Sequence, residues 1–191
     1  VLHVQADRKL RLSQPQQIMA AEREIIEEAY AGDIIGVFDP GLFSIGDTLC
    51  APGKKFKFEG IPTFAPEHFS LVRQVDTMKR KQFVKGTTQI ANEGAIQIFQ
   101  DPNGGMEEVV VGVVGVLQFD VFEYRMNNEY NVDIRMQRMP HQFIRWIEND
   151  DLDWGQLVLN SDTKKIQDFH GGRLLLFTNS WSIQWALEHN E

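Results

Sequence analysis

One stretch of the chain, residues 92–136, limits the possible folds more than any other. It contains two short β-type runs, around Ile98 and Val110, separated by the sequence DPNGG. The proline fixes φ and the two glycines tolerate positive φ, so this turn chemistry predicts a β-hairpin. Residues 117–130 are long and apolar enough for a buried helix, and residues 132–137 then alternate as a strand does. The stretch therefore predicts strand, strand, helix and strand in that order.

The residues before this stretch add one strand and one helix. Apolar residues recur between Phe69 and Val75, which indicates a strand. Asp76 is a typical N-cap for a helix over residues 77–92, and Gly94 predicts where that helix ends. Its predicted apolar face consists of Phe83, Val84, Thr87, Ile90 and Ala91.

Together these elements give the order βαββαβ, which is the ferredoxin-like arrangement, over residues 61–138. We expect both helices on one face of the sheet. Gly86, in the middle of the first helix, costs about 1 kcal/mol relative to alanine. The second helix carries two apolar stripes, of which one should meet the sheet and the other the C-terminal segment. The first stripe contains Phe119, Phe122, Met126 and Tyr130, and the second contains Leu117, Val121 and Tyr124.

The last part of the chain, residues 139–191, is predicted to be an α/β extension of this core; with it, the second domain covers residues 59–191. The predicted elements are a strand over residues 143–147, a short helix over 162–169, a turn at Gly171-Gly172, a strand over 174–177 and a helix capped by Ser180 that carries Trp181, Trp185 and Leu187. The acidic run at residues 148–153 is interpreted as a solvated loop, because carboxylates without a glycine-turned loop rarely hold a cation.

The first 58 residues predict part of a β-barrel. Short apolar runs, at residues 9–12, 34–37, 43–45 and 48–49, alternate with turn signals about every ten residues, which is typical of barrels and sandwiches. Residues 24–29 could pass for a helix start, but this run is short and leads into the turn at residues 31–33. So short a segment supplies too few strands to close a barrel, and an open barrel leaves unpaired edges. We therefore expect the chain to be a fragment, with the first barrel strands upstream of Val1.

Composition narrows the setting and the partners. The 191 residues are 42% hydrophobic, which suffices for one large or two small cores. The sequence has no run of about 18 apolar residues and so predicts no membrane span. A single cysteine, Cys50, permits no internal disulfide and suits a reducing, cytoplasmic compartment. The net charge of −8 argues against nucleic-acid binding over the whole surface, but a local basic face is compatible with it.

Motifs that carry catalytic chemistry are missing from the sequence. It contains no G-x-x-x-x-G-K-[ST] loop for nucleotide phosphates, and the D-x-x-G match at residues 33–36 has no such loop beside it. The five histidines show no spacing typical of metal ligands. We therefore predict no catalytic, cofactor-binding or metal-binding residue in this chain.

Basic residues cluster at the start of the helix predicted over residues 77–92. The cluster contains Arg73, Lys79, Arg80, Lys81 and Lys85. Lys81 and Lys85 lie one helical turn apart, outside the apolar face, where they would either bind RNA phosphates or simply face solvent. The βαββαβ order is also that of RNA-recognition modules. Residues 109–115 have no aromatic side chains, however, so base stacking on the open sheet is not expected.

Several motifs resemble those of translational GTPases. AGDIIG at residues 31–36 and IGDTL at 45–49 are similar to the second, β-barrel domain of that superfamily, and residues 115–132 resemble the third-domain motif shared with elongation factor G. The combination of FEGIPTFAPE, KG, EGAIQIF and GVVGVLQFDV, which begin at residues 58, 85, 93 and 112, resembles the bacterial class II peptide chain release factors. Arg145-Trp146 and the Gly171-Gly172 turn match the C-terminal extension of that family, so the resemblance covers nearly the whole chain.

The resemblance implies a function that the residue patterns alone do not give. The whole protein would be a ribosome-stimulated GTPase that promotes release of class I release factors after peptide hydrolysis. Its GTPase domain, with GTP or GDP and Mg, would precede Val1. This chain would then be a non-enzymatic part that contacts the small ribosomal subunit and the protein's own GTPase domain.

Three alternatives stay open on the sequence. The chain could be the corresponding fragment of another translational GTPase, such as an elongation factor G relative, although such a relative would continue after Pro140 into domains of different topology. It could be a stand-alone RNA-binding α+β module. It could also be an enzyme with its own nucleotide site.

Overall fold

The computed structural model describes residues 1–19, 22–39, 41–54, 56–102, 104, 108–149, 151–169 and 171–190, without the side chains of residues 18, 19, 22 and 23. The chain divides into two compact units, Val1–Pro62 and Thr63–Glu191. The described residues are mostly β-structure, and their helices belong to the second unit.

Short antiparallel strands form the first unit. The strands are β1 (Leu2–His3), β2 (Arg8–Lys9), β3 (Gln16–Met19), β4 (Glu22–Ile25) and β5 (Leu49–Cys50). β1 lies between β2 and β5, while β3 and β4 make a separate hairpin. His3 is buried, and its Nε2 lies 2.8 Å from Oδ2 of Asp47. That contact holds the predicted turn at Gly46-Asp47 against β1.

Part of the strand prediction for the first unit is wrong. The run at residues 24–29, which could pass for a helix start, begins no helix, since its first residues belong to β4 and pair with β3. Residues 34–37 and 43–45 form no strand in the described part of this unit, and Gly36 makes only an isolated bridge to β3. Ile34 is 89% exposed. The apolar run therefore lacks the packing partner that stabilises a strand.

The second unit contains the predicted order of strand, helix, strand, strand, helix and strand. The elements are β6 (His68–Gln74), α1 (Arg80–Asn92), β7 (Gln97–Gln100), β8 (Glu108–Val113), α2 (Leu117–Asn128) and β9 (Ile134–Met139). The strands pair antiparallel in the order β9-β6-β8-β7. The predicted hairpin of β7 and β8 is confirmed, although part of its DPNGG loop, residues 103 and 105, lies outside the described residues.

Both helices pack on one face of this sheet, as predicted. The core beneath them includes Val72, Phe83, Ile90, Ile98, Val109, Val111, Phe119, Phe122 and Met126. Side chains alternate along a strand, so Val109 and Val111 point to the helices while Val110 lies on the other face. Burying side chains of this size stabilises the fold by about 1.5–3 kcal/mol each. The helix-side core therefore fixes which face every residue of β6, β8 and β9 presents.

Gly86 lies where α1 and α2 approach each other. A Cβ atom built on Gly86 would lie 2.8 Å from Sδ of Met126 and 2.8 Å from Cγ of Tyr130. Both distances are shorter than real contacts allow. Helix propensity alone indicates only the cost of this glycine, whereas the packing shows why the position excludes a side chain.

The C-terminal extension adds three strands to the same sheet. These strands are β10 (Phe143–Trp146), β11 (Lys164–Asp168) and β12 (Arg173–Phe177), and the full order is β10-β12-β11-β7-β8-β6-β9. They form a second core with the sheet face opposite α1 and α2, made of Phe69, Phe99, Val110, Ile144, Ile166, Leu174 and Leu176. α3 (Ser180–Glu188) packs on β12 through Leu175, Phe177 and Ala186.

The helix predicted over residues 162–169 is wrong, because most of this segment is β11. It pairs with β12 on one side and with β7 on the other. The predicted Gly171-Gly172 turn is confirmed: Gly171 has φ +86°, and the amide of Gly172 donates to the Asp168 carboxylate at 2.7 Å. A tight reversal places the residues before it alongside β12, so pairing overrides the local helical pattern.

The prediction that the C-terminal segment covers the second stripe of α2 is also wrong. Leu117, Val121 and Tyr124 are 74%, 54% and 67% exposed. The described residues of the extension pack against the opposite sheet face instead. The first stripe is buried as predicted.

The helix ends show which cap predictions hold. The Asp76 carboxylate accepts a hydrogen bond from the amide of Met78 at 2.9 Å, which confirms the cap, although the first turn, Thr77–Lys79, is a 3-10 helix. Gly94 has φ +75° and ends α1 as predicted. Ser180 is not a cap: the Asn179 side chain accepts from the amide of Ser182 at 2.9 Å. An Asx side chain at this position satisfies an amide that the helix itself leaves unpaired.

Candidate nucleic-acid interface

The predicted basic cluster is divided between two surfaces. Four of its cations lie on the 3-10 turn and α1, namely Lys79, Arg80, Lys81 and Lys85. Arg73 lies on β6. Its neighbour Val72 points into the core beneath the helices, so Arg73 points to the opposite face of the sheet. The structure therefore groups the four helix cations and separates Arg73 from them.

The helix cations lie at an end of α1 that is already positive. Lys81 and Lys85 are exposed and one turn apart, and the first turn of α1 contains no acidic residue. Within the described part of the chain, none of the four cations makes an ion pair. The N-terminal end of a helix carries a partial positive charge from its unpaired amides. Cations and helix end therefore add to one positive potential, which suits phosphate.

Arg73 instead lines a cleft on the other face of the sheet. The cleft has a volume of ≈ 560 Å³. Charged residues in its described lining are Arg73, Asp101, Glu108, Arg135 and Lys164. An Arg73 guanidinium nitrogen lies 3.6 Å from a Glu108 carboxylate oxygen, and Nζ of Lys164 lies 3.4 Å from Oδ2 of Asp101.

Sequence reasoning missed two cations of this cleft. The alternation over residues 132–137 places Arg135 on the polar side of its strand, but only the pairing of β6 with β9 puts it opposite Arg73. Lys164 was not assigned to the sheet because its segment was predicted to be a helix. No local signal in the sequence places Lys164 in the same cleft as Arg73 and Arg135.

A third charged group joins the C-terminal ends of α1 and α2. Arg125 donates to Glu93 at 2.5 Å and, through two nitrogens, to Glu129 at 2.8 Å each. These hydrogen bonds, with Glu129 first, raise the pKa of the Arg125 guanidinium, and the same contact lowers the pKa of the Glu129 carboxyl. Because each of the three Arg125 nitrogens donates to a carboxylate, the network holds the two helix ends together.

The described residues offer no centre for metal chemistry. Among them, no group of three or more histidine, cysteine, aspartate or glutamate side chains is placed to hold a metal ion. His141 Nε2 lies 3.0 Å from the carbonyl oxygen of Asp162, and burial lowers the pKa of this imidazole. Of the helices in the described ranges, none is long and apolar enough to span a membrane.

Comparison with known families shows which family the chain belongs to. The family model described as "Class II release factor RF3, C-terminal domain" matches residues 58–187, which is more than half of the chain. The chain belongs to the class II release factor family. The resemblance drawn from the sequence motifs is thereby confirmed. A second model, "Elongation factor G domain 2", matches residues 1–52, upstream of the class II release factor match.

Curated class II release factors are similar to the chain over its whole length. It is 48% identical over 194 residues to "Peptide chain release factor 3" of Symbiobacterium thermophilum, covering 100% of the chain and 36% of that protein. The protein of the same name from Gloeobacter violaceus is 41% identical over 191 residues, with 100% and 36% covered. The one from Macrococcus caseolyticus is 40% identical over 182 residues, with 95% and 34% covered. The chain thus spans about a third of the length of these relatives.

Proposed function

We propose that this chain is the C-terminal, ribosome-interacting part of a GTPase that promotes recycling of class I release factors from the ribosome during translation termination. The observation that carries the proposal is the 48% identity to a peptide chain release factor 3 over the whole chain. The class II release factor match runs through residue 187 and includes the extension after Pro140. That extension favours this function over the corresponding one of an elongation factor G relative.

In this proposal the chain supplies binding contacts, and GTP is hydrolysed by another part of the parent protein. GTP or GDP and Mg are held by the GTPase domain, which this chain contacts. The parent acts in the cytoplasm, where ribosomes and class I release factors are found.

The proposed architecture has two domains. Residues 1–58 are the C-terminal part of a translation-factor β-barrel, supported by the elongation factor G domain 2 match over residues 1–52. Residues 59–191 are a ferredoxin-like core, at 61–138, with an extension at 139–191. The strand order β9-β6-β8-β7 supports the ferredoxin-like part, because the first and third strands of the βαββαβ series are then central.

We further propose that the α1 surface is the contact with RNA of the small ribosomal subunit. Lys79, Arg80, Lys81 and Lys85 supply four cations next to the positive end of a helix. With a net charge of −8, the chain as a whole repels RNA, so binding requires such a local surface. Each phosphate contact releases counterions, which makes the affinity depend on salt.

The test is ribosome co-sedimentation of the full-length protein at several salt concentrations. The variant Lys81→Glu/Lys85→Glu should bind more weakly. Loss of two phosphate contacts should reduce the slope of log affinity against log salt by about 2, since each contact contributes about 1. Lys9→Glu/Lys57→Glu is the matched control, because both lysines are exposed in the first unit and the charge change is identical.

The control separates a local contact from a general charge effect. Only the α1 variant should lose affinity and salt slope. An unchanged slope in the α1 variant, or an equal loss in both variants, would show that these lysines do not contact RNA.

A further inference from the structure

The cleft beside Arg73 contains charges that are only partly matched. Lys164 pairs with Asp101 and Arg73 pairs with Glu108. Arg135 lines the same cleft and is exposed, and among the described residues it makes no ion pair. The described lining thus has three cations for two carboxylates. Arg135 is the cation that remains.

The strand pairing places the unpaired positive charge of Arg135 next to a second positive charge. In the pairing of β6 with β9, Arg73 lies directly opposite Arg135. The neighbours of both residues, Val72 and Ile134, point into the helix-side core, so both arginines point to the other face. Like charges directly opposite on neighbouring strands destabilise a sheet. A bound anion would convert that repulsion into two attractive contacts.

We propose that this cleft binds a phosphate group between Arg73 and Arg135, with Lys164 in the same lining. Arginine suits phosphate because its planar guanidinium donates paired N–H bonds. The volume of ≈ 560 Å³ is typical of small-ligand sites, which span about 300–1,000 Å³. The described lining has no aromatic side chain, so the site recognises phosphate and not a base.

Two sources can supply this chemistry, the backbone of an RNA strand and a small phosphorylated molecule. The full chain is titrated calorimetrically with inorganic pyrophosphate, with a short oligouridine and with oligoglutamate. Arg135→Gln should weaken binding of the phosphate ligands about tenfold or more, because it removes a charge-assisted contact.

The matched control is Arg138→Gln, on the same strand β9 and with the same charge change. The Arg138 guanidinium lies 3.8 Å from the ring centroid of Phe119, on the helix side of the sheet, so this variant should keep its phosphate affinity. Thermal unfolding without ligand checks that the variants fold. Arg135→Gln should melt no lower than the unmodified chain, because it relieves the repulsion with Arg73.

The outcomes decide both the site and its source. Binding of oligouridine alone assigns the cleft to an RNA backbone, and binding of pyrophosphate as well assigns it to small phosphorylated ligands. The proposal is overturned if the unmodified chain binds neither, if oligoglutamate binds in their place, or if Arg138→Gln loses as much affinity as Arg135→Gln. The ribosome test at Lys81 and Lys85 uses a different surface, so the two proposals fail separately.

Discussion

Replacing Gly86 by alanine should destabilise the second unit, although alanine is the better helix former. The propensity difference alone would favour alanine by about 1 kcal/mol. At this position the added Cβ would lie 2.8 Å from Sδ of Met126 and 2.8 Å from Cγ of Tyr130. Carbon atoms pack best at about 3.5–4.0 Å, so both neighbours must move by more than half an ångström. Met126 is 0% exposed and belongs to the helix-side core, so its displacement disturbs that core.

The expected size follows from these two opposing terms. Overpacking a core costs about 1–3 kcal/mol, and we take the upper end because two side chains are displaced. Subtracting the propensity gain leaves a net loss of about 1–2 kcal/mol in the free energy of unfolding. The helix ends held by Arg125 oppose relief by separating α1 from α2.

Urea unfolding followed by tryptophan fluorescence is the appropriate assay. The four tryptophans lie between residues 146 and 185, so their signal reports on the second unit. In a Tyr130→Ala background, two of the three nearest atoms are gone, and Gly86→Ala should then be neutral or stabilising. Gln89→Ala, at an exposed position of α1, measures propensity without a clash. A gain of about 1 kcal/mol for Gly86→Ala in the unmodified chain would refute the packing argument.

Three further changes test other contacts. Asn179→Ala should cost about 1 kcal/mol in urea unfolding, while Ser180→Ala should cost much less, because only the first removes the observed cap. The pKa of Glu129 is lowered by its contact with Arg125, so the stability from this contact is present above about pH 4.3 and is lost as pH falls through the folded-state pKa. In Arg125→Gln the unfolding temperature should therefore depend less on pH over that acidic range. Burial lowers the pKa of His141, so the unfolded chain takes up the proton first and stability falls as pH drops below about 6.5. In His141→Gln the unfolding temperature should fall less over that pH range. An equally steep fall in the variant would contradict the assignment.

Sequence patterns within a few residues were sufficient to predict the turns, the Asp76 cap and the helices of the second unit. The DPNGG and Gly171-Gly172 turns, the Asp76 cap and the period of α1 and α2 each depend on residues within a few positions of one another. Those features predicted the element order of the second unit, because turn chemistry and helical periodicity are short-range properties. The family resemblance depends on motifs of the same kind, and it was confirmed by the match over residues 58–187.

Only part of the candidate site could be predicted from such local patterns. The spacing of Lys81 and Lys85 gave a common helix face, because a helix fixes which residues are neighbours. Arg73 was grouped with them by closeness in sequence, but strand alternation turns it to the opposite side of the sheet. Arg135 and Lys164 entered the cleft only through strand pairing between segments distant in sequence.

The turns, the helix periods and the family motifs could therefore be predicted without coordinates, since they arise from side chains close together along the chain. Only the tertiary packing shows that residues 164–168 are a strand, that the second stripe of α2 is exposed, and that Gly86 faces Met126. Each of these depends on which partner occupies the space beside a segment, and that is decided only when the whole sheet assembles.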